Sequence, residues 1–206
     1  MIIAVTPFEP LTATHIERLL AIESRLSGVI LRTPMQTAAL ADWLQTLLDK
    51  GFPKSKVIVH TDIALAERFD IHRLHFREGD ITAYDLKAQQ PSYVISMSVH
   101  QMATIIDAQQ HHLDFGVYGH VFPSASKPGR APRTDEEVQQ ALSKKWPLVA
   151  IGGIDVDTVS HIAPQFAGIA CIRSAFATST ETFESMIQQW QTLKGRERHD
   201  RNSREW

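Results

Sequence analysis

The 206 residues carry 21 Lys and Arg against 23 Asp and Glu, a net charge of −2 without any basic stripe, so small molecules rather than nucleic acid are the expected partners. Cys171 is the single cysteine, which excludes an intramolecular disulfide and a Cys-rich zinc site and fits a reducing cytoplasm. No window approaches about 18 uninterrupted apolar residues and Met1-Ile2-Ile3-Ala4-Val5 lacks a basic n-region, so the expectation is a cytoplasmic protein, neither exported nor membrane-spanning.

Ile2 to Val5 reads as a short apolar strand ended by Thr6-Pro7, and Ile16, Leu19, Leu20, Ile22 and Leu26 then recur at helical spacing. Gly28 to Leu31 is a second strand ending at Arg32, followed by a helix through Ala38, Leu40, Ala41, Leu44, Leu47 and Leu48 that Gly51 stops. Val57 to Val59 leads to His60 and a helix from Asp62 to Phe69. Ile71 to Phe76 is the fourth strand, with a weak helix from Thr82 to Ala88. Tyr93 to Met97 is the fifth strand, and His100 to Gln110 the fifth helix. Phe115 to Tyr118 forms the sixth strand, which delivers His120 to a loop rich in Pro, Gly and Ser. Thr134 caps a helix that opens on Asp135, Glu136 and Glu137; Leu148 to Ile151 is the seventh strand, closed by Gly152-Gly153. A helix from Asp155 to Ile162, an eighth strand at Ile169 to Ile172 and a helix from Thr180 to Leu193 complete the pattern.

Eight continuous apolar runs alternating with helical segments predict a parallel sheet buried on both faces, closed as a (β/α)8 TIM barrel. No G-x-G-x-x-G follows the first strand, which argues against an open doubly wound sheet. Residues 1–195 form one barrel domain on this reading, and 196–206 a charged, frayed tail.

In such a barrel, function sits at the carboxyl ends of the strands. Those ends carry Arg32, His60, His75, Ser98, His100, His120, Gly152-Gly153 and Arg173-Ser174. Gly152-Gly153 and Ser174-Ala175 occupy the positions where barrels hold a phosphate on backbone N–H groups, although the glycine pair by itself is equally a tight turn. A metal centre is not expected: there is no H-x-H after strand one, no Asp after strand eight, and His60, His75 and His100 lack acidic partners at ligand spacing. His120 at a strand exit is either a structural rim residue or a general acid–base group, since imidazole can both take and return a proton near neutral pH.

Gly119-His120-Val121-Phe122, followed by Ser124, Lys127 and Gly129 and then by Val149-Ala150-Ile151-Gly152-Gly153-Ile154, resembles the thiamin phosphate synthase superfamily, and within it the TenI branch of thiazole tautomerases. Histidine stands where the synthases usually carry proline. The resemblance implies a single (β/α)8 domain, a homodimer, no cofactor, and aromatisation of a carboxylated thiazole phosphate in thiamin biosynthesis. His120 would be the catalytic residue, Gly152, Gly153, Ser174 and Ala175 phosphate contacts, and Arg32 and Lys127 cationic contacts. Two departures stand out: Thr33-Pro34 replaces the usual acidic and basic pair after Arg32, and Ala175 replaces a glycine. The resemblance leaves two alternatives, a thiamin phosphate synthase using Mg²⁺ or a non-catalytic regulatory paralogue that binds thiazole or thiamin phosphates. The Asn-Asp and Gly-Gln-Glu-Asp patterns of the synthases are replaced here by Val59-His60-Thr61-Asp62 and Arg77-Glu78-Gly79-Asp80.

Overall fold

A computed structural model describes residues 1–124 and 129–202 of the chain. Its eight strands are β1 Ile2–Val5, β2 Gly28–Leu31, β3 Val57–His60, β4 Arg73–Phe76, β5 Val94–Val99, β6 Phe115–Gly119, β7 Leu148–Ile151 and β8 Gly168–Cys171. All pair in parallel and in chain order, and β8 closes on β1 with Ile2 opposite Ile169. The protein is a (β/α)8 barrel.

The strands read as unbroken apolar runs because both of their faces are covered. One set of alternate residues, including Val29, Leu31, Val59, Leu74, Met97 and Ile169, packs outward beneath the helices. The other set fills the barrel interior with Ile3, Val5, Ile30, Ile58, Phe115, Val117, Val149 and Ala170. Strands β4 and β5 break this pattern by burying His75 and Ser96.

The helices are α1 Ala13–Ile22, α2 Thr37–Asp49, α3 Ile63–Arg68, α4 Ile81–Gln89, α5 Met102–Gln110, α6 Asp135–Ser143, α7 Arg173–Phe176 and α8 Thr180–Asn202. Helix α6 starts where the sequence predicts, on a reciprocal capping box in which Thr134 Oγ accepts from the Glu137 N–H and the Glu137 carboxylate accepts from the Thr134 N–H.

Two helical expectations are corrected. The segment after β7 forms only a 3₁₀ turn at Val159–His161, not a helix from Asp155 to Ile162. Asp155 Oδ1 accepts from the N–H groups of Asp157 and Thr158, and Thr158 Oγ1 donates back to the Gly153 carbonyl, so local side-chain bonds hold this stretch as a turn. The last helix passes the predicted end at Leu193 and continues to Asn202. Lys194 anchors that extension by donating to the carbonyls of Pro164 and Phe166 and to Glu197. The region expected as a charged tail from 196 therefore begins inside a helix.

Candidate active site

A cavity of about 540 Å³ opens at the carboxyl ends of the strands, lined by Arg32, His60, His75, Ser98, His120 and Gly152 among others. His120 leaves the end of β6 and is only 7% exposed. The adjoining backbone is held firmly: the Val121 and Phe122 N–H groups donate to the Ile151 and Gly152 carbonyls, and the Arg133 N–H donates to the His120 carbonyl.

The ring of His120 is oriented by the far side of the same loop. Nε2 lies 3.2 Å from the Arg130 carbonyl oxygen. A carbonyl can only accept, so Nε2 carries the proton, and in the neutral ring Nδ1 holds the lone pair. Nδ1 has no partner among the described residues. An imidazole arranged in this way can accept a proton at Nδ1, and the resulting cation keeps its Nε2–H bond to the carbonyl.

Positive charge gathers on the opposite wall. The Arg32 guanidinium stacks over the Phe8 ring at 4.5 Å from its centroid. Arg77, which sequence reasoning did not single out as a contact, lines the same cavity. Burial, followed by the charge of Arg77, lowers the pKa of Arg32. Burial, then Arg77 and Arg32, holds the His60 imidazole down at about 4, so it is neutral at pH 7. Two guanidinium groups beside a neutral histidine give this wall the charge and donors that can hold an anion. The signal available for Arg77 was its place just past the end of β4. Thr33, in the departure after Arg32, donates to the Glu9 carbonyl and ties the β2 exit to the β1 exit.

A smaller cavity of about 280 Å³ adjoins the first, sharing Ser124, Ile151, Gly152 and Ile172 with it and adding Gly153, Arg173 and Ser174. Gly152 and Gly153 have φ of +103° and +65°, which glycine adopts at little steric cost. A Cβ on Gly153 would meet the Pro123 carbonyl oxygen at 2.4 Å. The turn therefore presents bare backbone to the cavity.

The expected phosphate contacts differ in what they offer. Ser174 lines the smaller cavity, yet its hydroxyl donates to the Ile154 carbonyl at 2.5 Å, so its hydroxyl proton is already engaged and not offered to an anion. Ala175 is fully buried, lines neither cavity, and its carbonyl accepts from Arg18 Nε at 2.6 Å. Lys127 lies outside the described residues.

The acidic residues after β3 and β4 have other engagements. Asp62 caps α3 through the Leu65 N–H and accepts from the Thr37 hydroxyl, and Asp80 caps α4 through the Thr82 N–H. Glu78 accepts from the N–H groups of His100 and Gln101 and from His100 Nδ1 at 2.8 Å. His100 thus has an acidic partner that chain spacing did not reveal. Among the described residues, no group of three or more His, Cys, Asp or Glu side chains is arranged to hold a metal ion. Asp62 and Glu78 line the larger cavity while making these bonds, and Asp80 does not.

Compared with known proteins, residues 3–176 match the model of a family described as thiamine monophosphate synthase (TMP-TENI). The chain belongs to that family. It is 29% identical over 163 residues to the thiamine-phosphate synthase of Staphylococcus carnosus, covering 76% of each chain. With the thiamine-phosphate synthase of Streptococcus agalactiae serotype III it shares 33% identity over 135 residues, which span 64% of this chain and 60% of that one. A thiamine phosphate pyrophosphorylase structure from Pyrococcus furiosus superposes with a TM-score of 0.73 at 19% identity, covering 95% of both chains, and so shares the fold. As a member of the thiamine monophosphate synthase family, the chain is assigned to thiamin biosynthesis. No helix among the described residues is long and apolar enough to cross a membrane.

Proposed function

We propose that this family member is a thiazole tautomerase, an isomerase that aromatises a carboxylated thiazole phosphate by moving one proton. What carries the reading is His120, held with Nε2–H on the Arg130 carbonyl and Nδ1 unpartnered among the described residues, in the lining of the larger cavity. Arg32 and Arg77 supply charge for the carboxylate, and the backbone at Gly152 and Gly153 supplies a cradle for the phosphate. Nδ1 takes the proton from ring C2, electrons shift through the ring, and the imidazolium returns a proton to the exocyclic carbon. Atoms and charge balance without a redox partner. Lys127 is carried into this reading as a further cationic contact, and a homodimer as its assembly.

The second reading, a thiamin phosphate synthase, is favoured by the names of the matched relatives. The commitments of Asp62, Glu78 and Asp80 weigh against it. One assay separates the two readings. Purified protein is given the non-aromatic thiazole phosphate carboxylate and the aromatic ultraviolet band is followed with and without EDTA. In parallel it is given the pyrimidine diphosphate, aromatic thiazole phosphate and Mg²⁺. Growth of the band that EDTA leaves intact supports the tautomerase. Coupling in the second arm, dependent on Mg²⁺, replaces it with the synthase.

A further inference from the structure

Beneath the cavity, where other strands point Ile and Val inward, β4 and β5 contribute a buried chain of three polar side chains. His75 Nδ1 lies 2.9 Å from Ser96 Oγ and Nε2 lies 2.9 Å from Ser98 Oγ. Ser96 is fully buried and His75 is 4% exposed, so the bond between them is shielded from water. Ser98 is part-buried and reaches the cavity.

The direction of this chain follows from counting protons. Ser96 Oγ also lies 3.2 Å from the Leu74 carbonyl oxygen, which can only accept. With its single proton on that carbonyl, Ser96 Oγ accepts from His75 Nδ1–H, and His75 Nε2 accepts from the Ser98 hydroxyl. All three bonds are then made. The reverse direction would leave the Leu74 contact without a proton, and a buried polar network is most stable when each member is satisfied. Burial, with His60 as a lesser cause, holds the His75 imidazole neutral, its pKa near 3.

We propose that Ser96, which does not reach the cavity, sets the hydrogen-bond polarity of the cavity floor: through His75 it turns the Ser98 proton inward, so that the floor presents only lone pairs and selects a ligand edge bearing an N–H or O–H donor. The relay is independent of His120 and of whether proton transfer is the reaction. Replacing Ser96 by alanine removes the acceptor for Nδ1–H. The proton then moves to Nε2, Ser98 accepts it, and the Ser98 hydroxyl proton is free to face the ligand. The floor changes from acceptor to donor.

Two measurements on the full chain test this. Long-range ¹H–¹⁵N correlation spectra of the wild type at pH 7 should show His75 as the neutral Nδ1–H tautomer, and Ser96→Ala should show Nε2–H. Calorimetry then compares two probes with the same phosphate arm, 4-methyl-5-(2-phosphonooxyethyl)thiazole, whose ring nitrogen accepts, and the corresponding thiazol-2(3H)-one, whose ring N–H donates. The wild type should favour the thiazolone by about tenfold, a preference that Ser96→Ala narrows or reverses and Ser98→Ala abolishes. Should Ser96→Ala fail to fold, the wild-type tautomer and Ser98→Ala still decide. An Nε2–H tautomer in the wild type, equal affinities for the two probes, or binding of neither overturns the proposal. Failure of the tautomerase reading is separate, since it would show as absent turnover with the His75 tautomer unchanged.

Discussion

Gly152 lies directly against His120: a Cβ built on the glycine would meet the Cβ of the histidine at 2.2 Å. The β7 turn and the β6 exit are therefore packed backbone to side chain, and the placement of His120 depends on an absent methyl group. Gly152→Ala adds that methyl at a φ of +103°, where alanine is strained even in open space. The variant should lose about 1–3 kcal/mol of stability by denaturant titration. Turnover should fall at least tenfold while the fold is kept, since His120 must move. An unchanged rate in a folded Gly152→Ala protein would separate the position of His120 from the chemistry.

His120→Gln preserves approximate size and a donor for the Arg130 carbonyl but cannot cycle a proton. General acid–base groups contribute about 10²–10⁴-fold in rate, so turnover should drop by at least two orders of magnitude. Affinity for the aromatic thiazole phosphate should change only a few-fold, because its anchors lie elsewhere. A variant retaining more than a tenth of wild-type turnover would pass the role to another group.

Stability should decline on mild acidification in a way traceable to two histidines. His60 and His75 titrate near 4 and near 3 in the folded protein, below the 6.5 of an unfolded chain. Above pH 6.5 neither state binds the proton and these groups contribute nothing to the pH dependence. Between about 6.5 and 4 the unfolded chain binds more protons than the native one, so stability falls as pH falls. Each fully unbalanced proton corresponds to about 1.4 kcal/mol per pH unit. Urea titrations at pH 7, 5.5 and 4.5 measure the slope. His75→Gln should flatten it by one proton; an identical slope in that variant would mean that His75 already titrates normally in the fold.

Cys171 should be inert in the native protein. It is 3% exposed at the end of β8, and burial, with Asp155 adding to it, pushes its thiol up to about 12. The thiolate is the reactive form, so a disulfide-exchange reagent at pH 8 should release no signal from folded protein and one equivalent after denaturation. Fast reaction of the native protein would show that β8 opens readily.

How far the amino-acid order reaches can be judged element by element. Continuous apolar runs at regular intervals demand a parallel sheet covered on both faces, and eight of them alternating with helical segments specify the barrel. The same order placed Arg32, His60, His120 and Gly152 at strand ends, because a barrel puts the end of every strand at one mouth. It failed after β7, where Asp155 and Thr158 spend their side chains on local backbone, a competition invisible to hydrophobic periodicity.

Partnership was beyond the sequence. Ser174 donates to Ile154 and Glu78 receives His100 because register and loop path bring together residues that are 20 and 22 positions apart. Arg77 converges with Arg32 on His60 across neighbouring strands. The sequence marks His75 only as a polar residue near a strand end; barrel closure and the phase of its alternation turn it inward between Ser96 and Ser98. A run that is apolar on both faces carries no mark of which face is the inside. The residue types and strand ends were thus set by the chain alone. Tertiary closure decided which side chains share a proton, which hydroxyls are already engaged and which charges face one another, since those depend on distances between strands that no local pattern encodes.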